Sequence, residues 1–373
     1  MKIVADEHIP FVRDYFGTGN ELILKPGRAI AAVDVKDADM LLVRSVTPVN
    51  AQLLENSRVK FVGSVTAGAD HLDAAWLDKA GIEWSVAAGF NAPPVADYVV
   101  SVVAALQRKQ MLAFTGMKAV VIGVGCVGQL VAERLRLLNF QVILCDPLRA
   151  ATEKDFQSVL LDEIEEVDLI SLHVPLTEGT PHPTFHMINE KFLQRQKARS
   201  VLLNASRGAV VDSQALLTHG AHMLWCLDVW ENEPQISKEM LSHATISTPH
   251  IAGYSVQSKI RGTDRIYNIA CAKKIIIKQE VPPIEMPQQT LRFSGSQHHW
   301  QDIVMGVFNP LVLSAMMRNA ILPAPEVGQV FDNMRHKFNY RHEFSYTRLI
   351  EVDAPAADRA VLEKLGIENS RLH

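Results

Sequence analysis

The chain has 373 residues, 48% of them apolar and 21% charged, and a formal net charge of −4. This is globular composition, long enough for two or three domains with buried cores, and it excludes a disordered chain. No basic surface is on offer for nucleic acid, and no apolar run reaches the ~18 residues that span a bilayer, so neither is expected as a partner.

The N-terminus, MKIVADEHIP, places Asp6 and Glu7 where a signal peptide would need its apolar core. Cys126, Cys145, Cys226 and Cys271 show no CxxC spacing and sit mostly in apolar surroundings. They read as buried free thiols of a cytoplasmic protein. Five short apolar runs follow one another over residues 1–90: Lys2–Ala5, Glu21–Leu24, Met40–Val43, Phe61–Val65 and Ile82–Val86. Polar or helix-like stretches separate them, which predicts a small parallel sheet with helices on its faces. Asn91-Ala92-Pro93-Pro94 breaks the chain, and an apolar helix is expected from Val95 to about Lys109 as the crossing into a second domain.

Lys118–Val124 is β-branched and apolar, as a strand buried on both faces should be. Gly123, Gly125 and Gly128 then spell G-x-G-x-x-G. The first permits the tight turn, the second lets backbone approach a pyrophosphate, and the third lets the helix close on the strand. From Gln129 onward Leu130, Val131, Arg134, Leu135 and Leu138 recur at helical spacing. The next strand ends at Asp146, where an acid can hold the ribose 2′-hydroxyl of NAD. The unit therefore predicts a dinucleotide fold whose cofactor is NAD, its pyrophosphate at a helix N-terminus. Four more strands, Asp168–Leu172, Val201–Asn204, Leu224–Asp228 and Thr245–Ser247, complete a six-stranded doubly wound sheet.

Three of these strands deliver polar groups at their carboxyl ends, where ligands of open α/β sheets bind. They lead into Asn204-Ala205-Ser206-Arg207-Gly208, into Asp228 with Glu231 and Glu233, and into Thr248-Pro249-His250-Ile251-Ala252-Gly253. Arginine offers a planar fork for a carboxylate, histidine can take a hydroxyl proton near neutral pH, and a neighbouring carboxylate holds the ring. The set suits oxidation of a 2-hydroxy acid by Arg207, Glu233 and His250. Taken singly, Arg207 reads as surface, Glu233 as solvated loop and His250 as one histidine among 14. Their placement on successive strand ends is what argues for function. Asp228, ending its strand on the nicotinamide side, is expected to contact cofactor.

A helix over 255–278 and the linker Val281-Pro282-Pro283-Ile284-Glu285-Met286-Pro287 follow, and the remaining ~90 residues have the size of a small domain. His182 with His186, and His298 with His299, lack any completing carboxylate or thiolate pattern, so no metal is expected. Arg335-His336-Lys337 reads as a solvated charge cluster, and Arg44 and Arg341 as surface arginines.

At these motifs the chain resembles the D-isomer-specific 2-hydroxyacid dehydrogenases over residues 1 to about 280. The resemblance rests on Gly-Val-Gly-Cys-Val-Gly, on Asn204 to Asp212, on Leu227-Asp228-Val229-Trp230-Glu231-Asn232-Glu233-Pro234 and on Thr248 to Gly253. It implies substrate binding by Arg207, proton transfer by His250 and support of that histidine by Glu233. A narrower resemblance, to members with a phosphorylated substrate and a C-terminal dimerisation domain, rests on Val43-Arg44-Ser45-Val46-Thr47, Thr66-Ala67-Gly68-Ala69-Asp70-His71, His250 to Ser255, and Arg335 to Phe344. It implies substrate contacts from Ser45, Thr66 and Tyr254. It also implies cofactor contacts from Val127, Asp146, Val174, Asp228 and Gly253, besides the three glycines.

The expected fold is α/β: two doubly wound parallel-sheet domains, a flavodoxin-like substrate domain and a Rossmann NAD domain, plus a small C-terminal α+β dimerisation domain. Expected bounds are 1–94 with 255–282 for the substrate domain, 95–254 for the NAD domain and 283–373 for the dimerisation domain. The implied partners are a small phosphorylated 2-hydroxy acid and a second copy of the chain. Two other readings stay open: a relative acting on another acid such as 3-phosphoglycerate, and a non-enzymatic NADH-sensing scaffold.

Overall fold

The computed structural model describes residues 1–113, 115–281, 284–295, 297–338 and 340–370. Pro282 and Pro283 of the expected linker, with the domain boundary placed between them, and Asn339 of the tail motif lie outside the described residues. The chain divides into two compact units, Met1–Asn91 with Val256–Pro287, and Ala92–Ser255 with Gln288–His373.

In the first unit β1 (Lys2–Asp6), β2 (Glu21–Lys25), β3 (Met40–Val43), β4 (Phe61–Ser64) and β5 (Glu83–Val86) form a parallel sheet in the order β2-β1-β3-β4-β5. This is the flavodoxin-like order. The central strands β3 and β4 are wholly buried, which is why they read as unbroken apolar runs. The helix Val256–Ala272 covers one face through Ile266, Tyr267 and Ala270, and stops short of the residue 278 expected for it.

The second unit carries β6 (Lys118–Ile122), β7 (Gln141–Cys145), β8 (Leu169–Leu172), β9 (Val201–Asn204), β10 (Leu224–Leu227) and β11 (Ile246–Ser247), all parallel, in the order β11-β10-β9-β8-β6-β7. The strand order reverses between β6 and β8, so the switch point lies over the glycine turn that follows β6. Val159 N–H donates to Leu144 C=O and continues the pairing beyond β7.

The helix Ala92–Arg108 begins at Ala92, three residues earlier than expected. Pro93 and Pro94 fall in its first turn, where no amide proton is needed, so they open the helix instead of breaking the chain. It is buried on nearly every face, as a helix apolar all round must be. Each fully buried valine or leucine there is worth about 1.5–3 kcal/mol over exposure. Its one buried carboxylate, Asp97, pairs with Arg134 of the helix Cys126–Leu137.

Residues 288–373 add β12 (Gln289–Arg292), β13 (Thr347–Ile350) and β14 (Glu368–Ser370), a parallel three-stranded sheet with helices between its strands. Trp300, Ile303, Val304, Phe344 and Leu349 join the same core as the helix Ala92–Arg108. Two cysteines depart from expectation. Cys145 and Cys226 are buried, but Cys271 is half-buried and Cys126 is exposed, because it opens its helix on the side where the glycine turn faces solvent.

Candidate active site

The turn after β6 is shaped by its glycines. A Cβ on Gly128 would lie 1.9 Å from Gly123 O, and one on Gly123 would lie 2.7 Å from both His173 O and Val174 Cγ1. Gly123 also has φ +84°, a conformation that costs little only without a side chain. These two glycines let strand, helix and the end of β8 close together, and they bring Val174 against the turn. Gly125 differs: a Cβ there meets nothing within 4 Å. It is the residue before the helix Cys126–Leu137, and no side chain caps that N-terminus. Open backbone and unclaimed first-turn amides fit a pyrophosphate. Val127 is half-buried in the first turn. Asp146 is tied to the same turn, since Val124 N–H donates to its Oδ2 at 2.8 Å while Oδ1 accepts from Arg149 N–H at 3.0 Å. The residues present therefore fit a bound dinucleotide.

At the other side of the sheet three adjacent strands set up the chemistry. β9 ends at Asn204, whose side chain folds the next turn: its Oδ1 accepts from Ser206 N–H (3.0 Å) and Ser206 Oγ (2.8 Å), and its Nδ2 donates to Arg207 C=O (2.9 Å). Arg207 Nη1 donates to Ser206 C=O at 2.9 Å. The Arg207–Gly208 turn lies directly on the segment after β10, because a Cβ on Gly208 would sit 2.0 Å from Trp230 C and O. A second tie joins the two segments: His186 N–H donates to Ala209 C=O, and its Nε2 shares a 2.8 Å hydrogen bond with Glu231 Oε1.

After β10 the buried carboxylate of Asp228 organises the loop that leaves β11. It accepts from Thr248 Oγ1 at 2.7 Å, Ile251 N–H at 2.8 Å and Ala252 N–H at 2.9 Å. His250 N–H donates to Asp228 C=O at 2.7 Å. These four bonds hold His250 in the left-handed region at φ +55°, a position unfavourable for a residue with a Cβ. The ring then meets its partner: Nδ1 and Glu233 Oε2 are 2.7 Å apart. Glu233 Oε1 accepts from Trp230 N–H at 2.8 Å. Burial opposes ionisation of Glu233, yet the facing imidazole, the Trp230 amide and the charge of Arg335 outweigh it and hold the carboxyl below its ordinary range. With Nδ1 given to an ionised carboxylate, Nε2 is the nitrogen that can take a proton. Gly253 follows Ala252 at the end of this loop and is half-buried.

In the first unit Ser45 is exposed in the turn after β3, and Thr66 is half-buried after β4. Thr66 Oγ1 donates to Gly68 C=O at 2.7 Å and lies 2.8 Å from Ser64 Oγ. Arg44 is not a solvated arginine: Nε donates to the buried Asp6 Oδ2 at 2.9 Å. Arg341, in the second unit, is buried, with its guanidinium donating to Pro94 C=O and to Ala252 C=O. Burial pushes it down to about 10 against the opposing pull of Asp228 and Glu343. The expected charge cluster also divides. His336 and Lys337 are exposed, whereas Arg335 is half-buried and its Nη2 donates to Tyr254 Oη at 3.1 Å. Arg335 is drawn inward because its helix, Val327–His336, docks on the segment after Glu233: Gly328 N–H donates to Gln235 Oε1 at 3.2 Å. Among the described residues no cluster of His, Cys, Asp and Glu could hold a metal, and no single helix is long and apolar enough to cross a membrane.

Known proteins resemble this chain in sequence and in fold. Residues 98–252 match the D-isomer specific 2-hydroxyacid dehydrogenase, NAD binding domain, and residues 3–173 match the catalytic domain of the same family. The erythronate-4-phosphate dehydrogenase of Coxiella burnetii (strain RSA 493) is 44% identical over 352 residues, covering 94% of this chain and 95% of the relative. The enzyme of the same name from Cellvibrio japonicus is 40% identical over 376 residues, covering 96% and 97%. Among solved structures, the NAD+-bound 3-phosphoglycerate dehydrogenase of Entamoeba histolytica superposes with a TM-score of 0.63 at 21% identity, covering 76% of this chain and 99% of that one, a likeness of fold. The chain belongs to the D-isomer-specific 2-hydroxyacid dehydrogenases, a family of NAD-dependent oxidoreductases.

Proposed function

We propose that the protein oxidises 4-phospho-D-erythronate to (R)-3-hydroxy-2-oxo-4-phosphooxybutanoate, a step of pyridoxal phosphate biosynthesis. Relatives named for that substrate match 94% and 96% of the chain, which takes in most of the C-terminal segment, whereas the Entamoeba 3-phosphoglycerate dehydrogenase covers 76% of it. The observation that carries the chemistry is the 2.7 Å pair of His250 and Glu233 on the strand end beside the Arg207 turn.

In this reading the guanidinium of Arg207 grips the substrate carboxylate in a bidentate contact and orients the neighbouring hydroxyl. His250 Nε2 removes the hydroxyl proton as the carbonyl forms, and Glu233 stabilises the resulting imidazolium through Nδ1–H. The chemistry bound NAD supplies is acceptance of the hydride from the hydroxyl-bearing carbon. Gly123, Gly125, Val127, Gly128, Asp146, Val174, Asp228 and Gly253 would hold it. Ser45, Thr66 and Tyr254 would contact the substrate. We assign 1–94 with 255–282 to substrate binding, 95–254 to NAD and 283–373 to homodimerisation, in a cytoplasmic enzyme.

A panel of 2-hydroxy acids with NAD tests the substrate. 4-Phospho-D-erythronate should give the highest kcat/KM, and equal or faster turnover of 3-phosphoglycerate would refute the assignment. No reduction of NAD by any acid of the panel would favour the scaffold reading.

A further inference from the structure

Arg335 reaches the site from a segment that the family's NAD-binding and catalytic domains, matched here at 98–252 and 3–173, do not include. Its helix is seated on the Glu233 segment by more than one contact. Besides the Gly328–Gln235 bond, a Cβ on Gly328 would lie 2.6 Å from Gln235 Nε2 and 3.3 Å from Pro234 Cγ. Lys238 Nζ donates to Ala324 C=O at 2.7 Å just before that helix begins. The guanidinium stands 6.0 Å from the ring centres of both Tyr254 and Phe331. Its Nη2 donates to the Tyr254 hydroxyl, while its Nε is buried with no hydrogen-bond partner among the described residues. No carboxylate makes a direct ion pair with it among those residues. A half-buried cation with its Nε out of water is steadied by charge nearby, and the carboxylates whose fields reach it are Glu233 and Asp228. Asp228 already accepts three hydrogen bonds from the His250 loop. Glu233 is bonded to His250 itself.

We propose that Arg335 is a positioning residue of the Glu233–His250 pair, a fixed positive charge that favours ionised Glu233, disfavours the doubly protonated ring, and aims the Tyr254 hydroxyl by occupying its oxygen. The inference rests on the acid–base reading of that pair given above. Its sign follows from simple electrostatics. To act as base in the oxidation, His250 must start without the extra proton, and a nearby cation makes that proton easier to release. The charged groups around the pair are Asp228 at the β10 end, whose negative charge acts in the opposite sense, Arg341, which feels the charge of Asp228, and Arg207 on the turn packed against Trp230; all three are unchanged in the variants below. Exchanging Arg335 for a neutral side chain therefore removes the cation that opposes Asp228, and the pair holds its proton to higher pH.

The test is the pH profile of kcat/KM for the full-length enzyme with NAD and 4-phospho-D-erythronate, or with whichever acid of the panel is turned over. R335Q, which keeps a donor for Tyr254 without the charge, should move the acid limb up by about half a pH unit to one unit. R335K, which keeps the charge, should leave the limb within about 0.2 unit of wild type. R335M, with its apolar stem against Phe331, replaces R335Q if that variant does not fold. An unmoved limb in folded R335Q or R335M overturns the inference, and so does an equal shift in R335K, which would make the role one of packing. H250A separates the two levels. If H250A oxidises substrate at the wild-type rate, the acid–base reading fails. If H250A is inactive and the neutral variants leave the limb in place, only the role of Arg335 fails.

Discussion

Gly208→Ala probes how tightly the Arg207 turn and the Glu233 segment are coupled. The added Cβ would lie 2.0 Å from Trp230 C and O and 2.4 Å from Glu231 N, where ordinary contact begins at 3.4 Å. The obstacle is backbone on both sides, so no side-chain rotation relieves it, and the two segments must part by about 1.4 Å, the difference between 3.4 and 2.0 Å. Trp230 N–H is the donor that fixes Glu233 Oε1, and Glu233 fixes His250 Nδ1, so the displacement passes to the base. A misplacement of about 1 Å in a reacting group costs on the order of 10²-fold in rate. We expect kcat/KM to fall about 10²–10³-fold in a steady-state assay of NADH absorbance, with overpacking destabilising the fold by about 1–3 kcal/mol. NAD affinity, read by fluorescence titration, should change far less, because the glycine turn belongs to β6. G208A with kcat/KM within about threefold of wild type would refute the coupling.

Arg207→Lys should raise KM and lower kcat together by about 10-fold or more, since a point charge cannot make the bidentate contact; steady-state kinetics unchanged from wild type would remove Arg207 from the substrate. Asp146→Ala should weaken NAD and relax its preference over NADP, and it also takes the acceptor from Val124 N–H, so NADP titration is the discriminating readout. Retained strong preference for NAD would show that another group reads the ribose. Glu233→Gln should change acid stability: burial raises the carboxyl, but His250, the Trp230 amide and Arg335 leave it net below its ordinary value of 4.5. A lowered folded value stabilises the fold above the unfolded range and loses that contribution as pH falls through the folded value. The Tm of E233Q should therefore fall less steeply than that of wild type below pH ~4.5, and parallel curves would contradict the linkage.

Much of this site could be read along the chain because its signals are local. Glycine spacing, the strand before it and the acid after the next strand are all set within thirty residues or so, and the buried strands of a parallel sheet announce themselves as apolar runs. That the Arg207 turn, the Glu233 segment and His250 lie on neighbouring strand ends was legible for a related reason: consecutive parallel strands place their carboxyl ends side by side. What escaped depends on partners far away in sequence. The polar look of Arg335 and Arg341 suggested solvent, but Arg335 is drawn in by a helix docked on Gln235 and Arg341 by backbone carbonyls of Pro94 and Ala252. Asp228 was expected at the cofactor, and the structure adds a duty no spacing could reveal, the three bonds that shape the His250 loop. Gly208 carried no visible demand until Trp230 was placed against it. Pro93 and Pro94 were read as a break with the helix opening after them at Val95; only the helix starting at Ala92 shows that they lie within its first turn.

The most direct measurement of the central claim is a paired one on His250→Ala: NAD affinity by calorimetry and the rate of NADH formation in a single turnover. Loss of about 10²–10⁴-fold in the rate, with NAD affinity within about threefold of wild type, is the predicted result. A single-turnover rate close to that of wild type would contradict it, since the proton would then leave the substrate by another route.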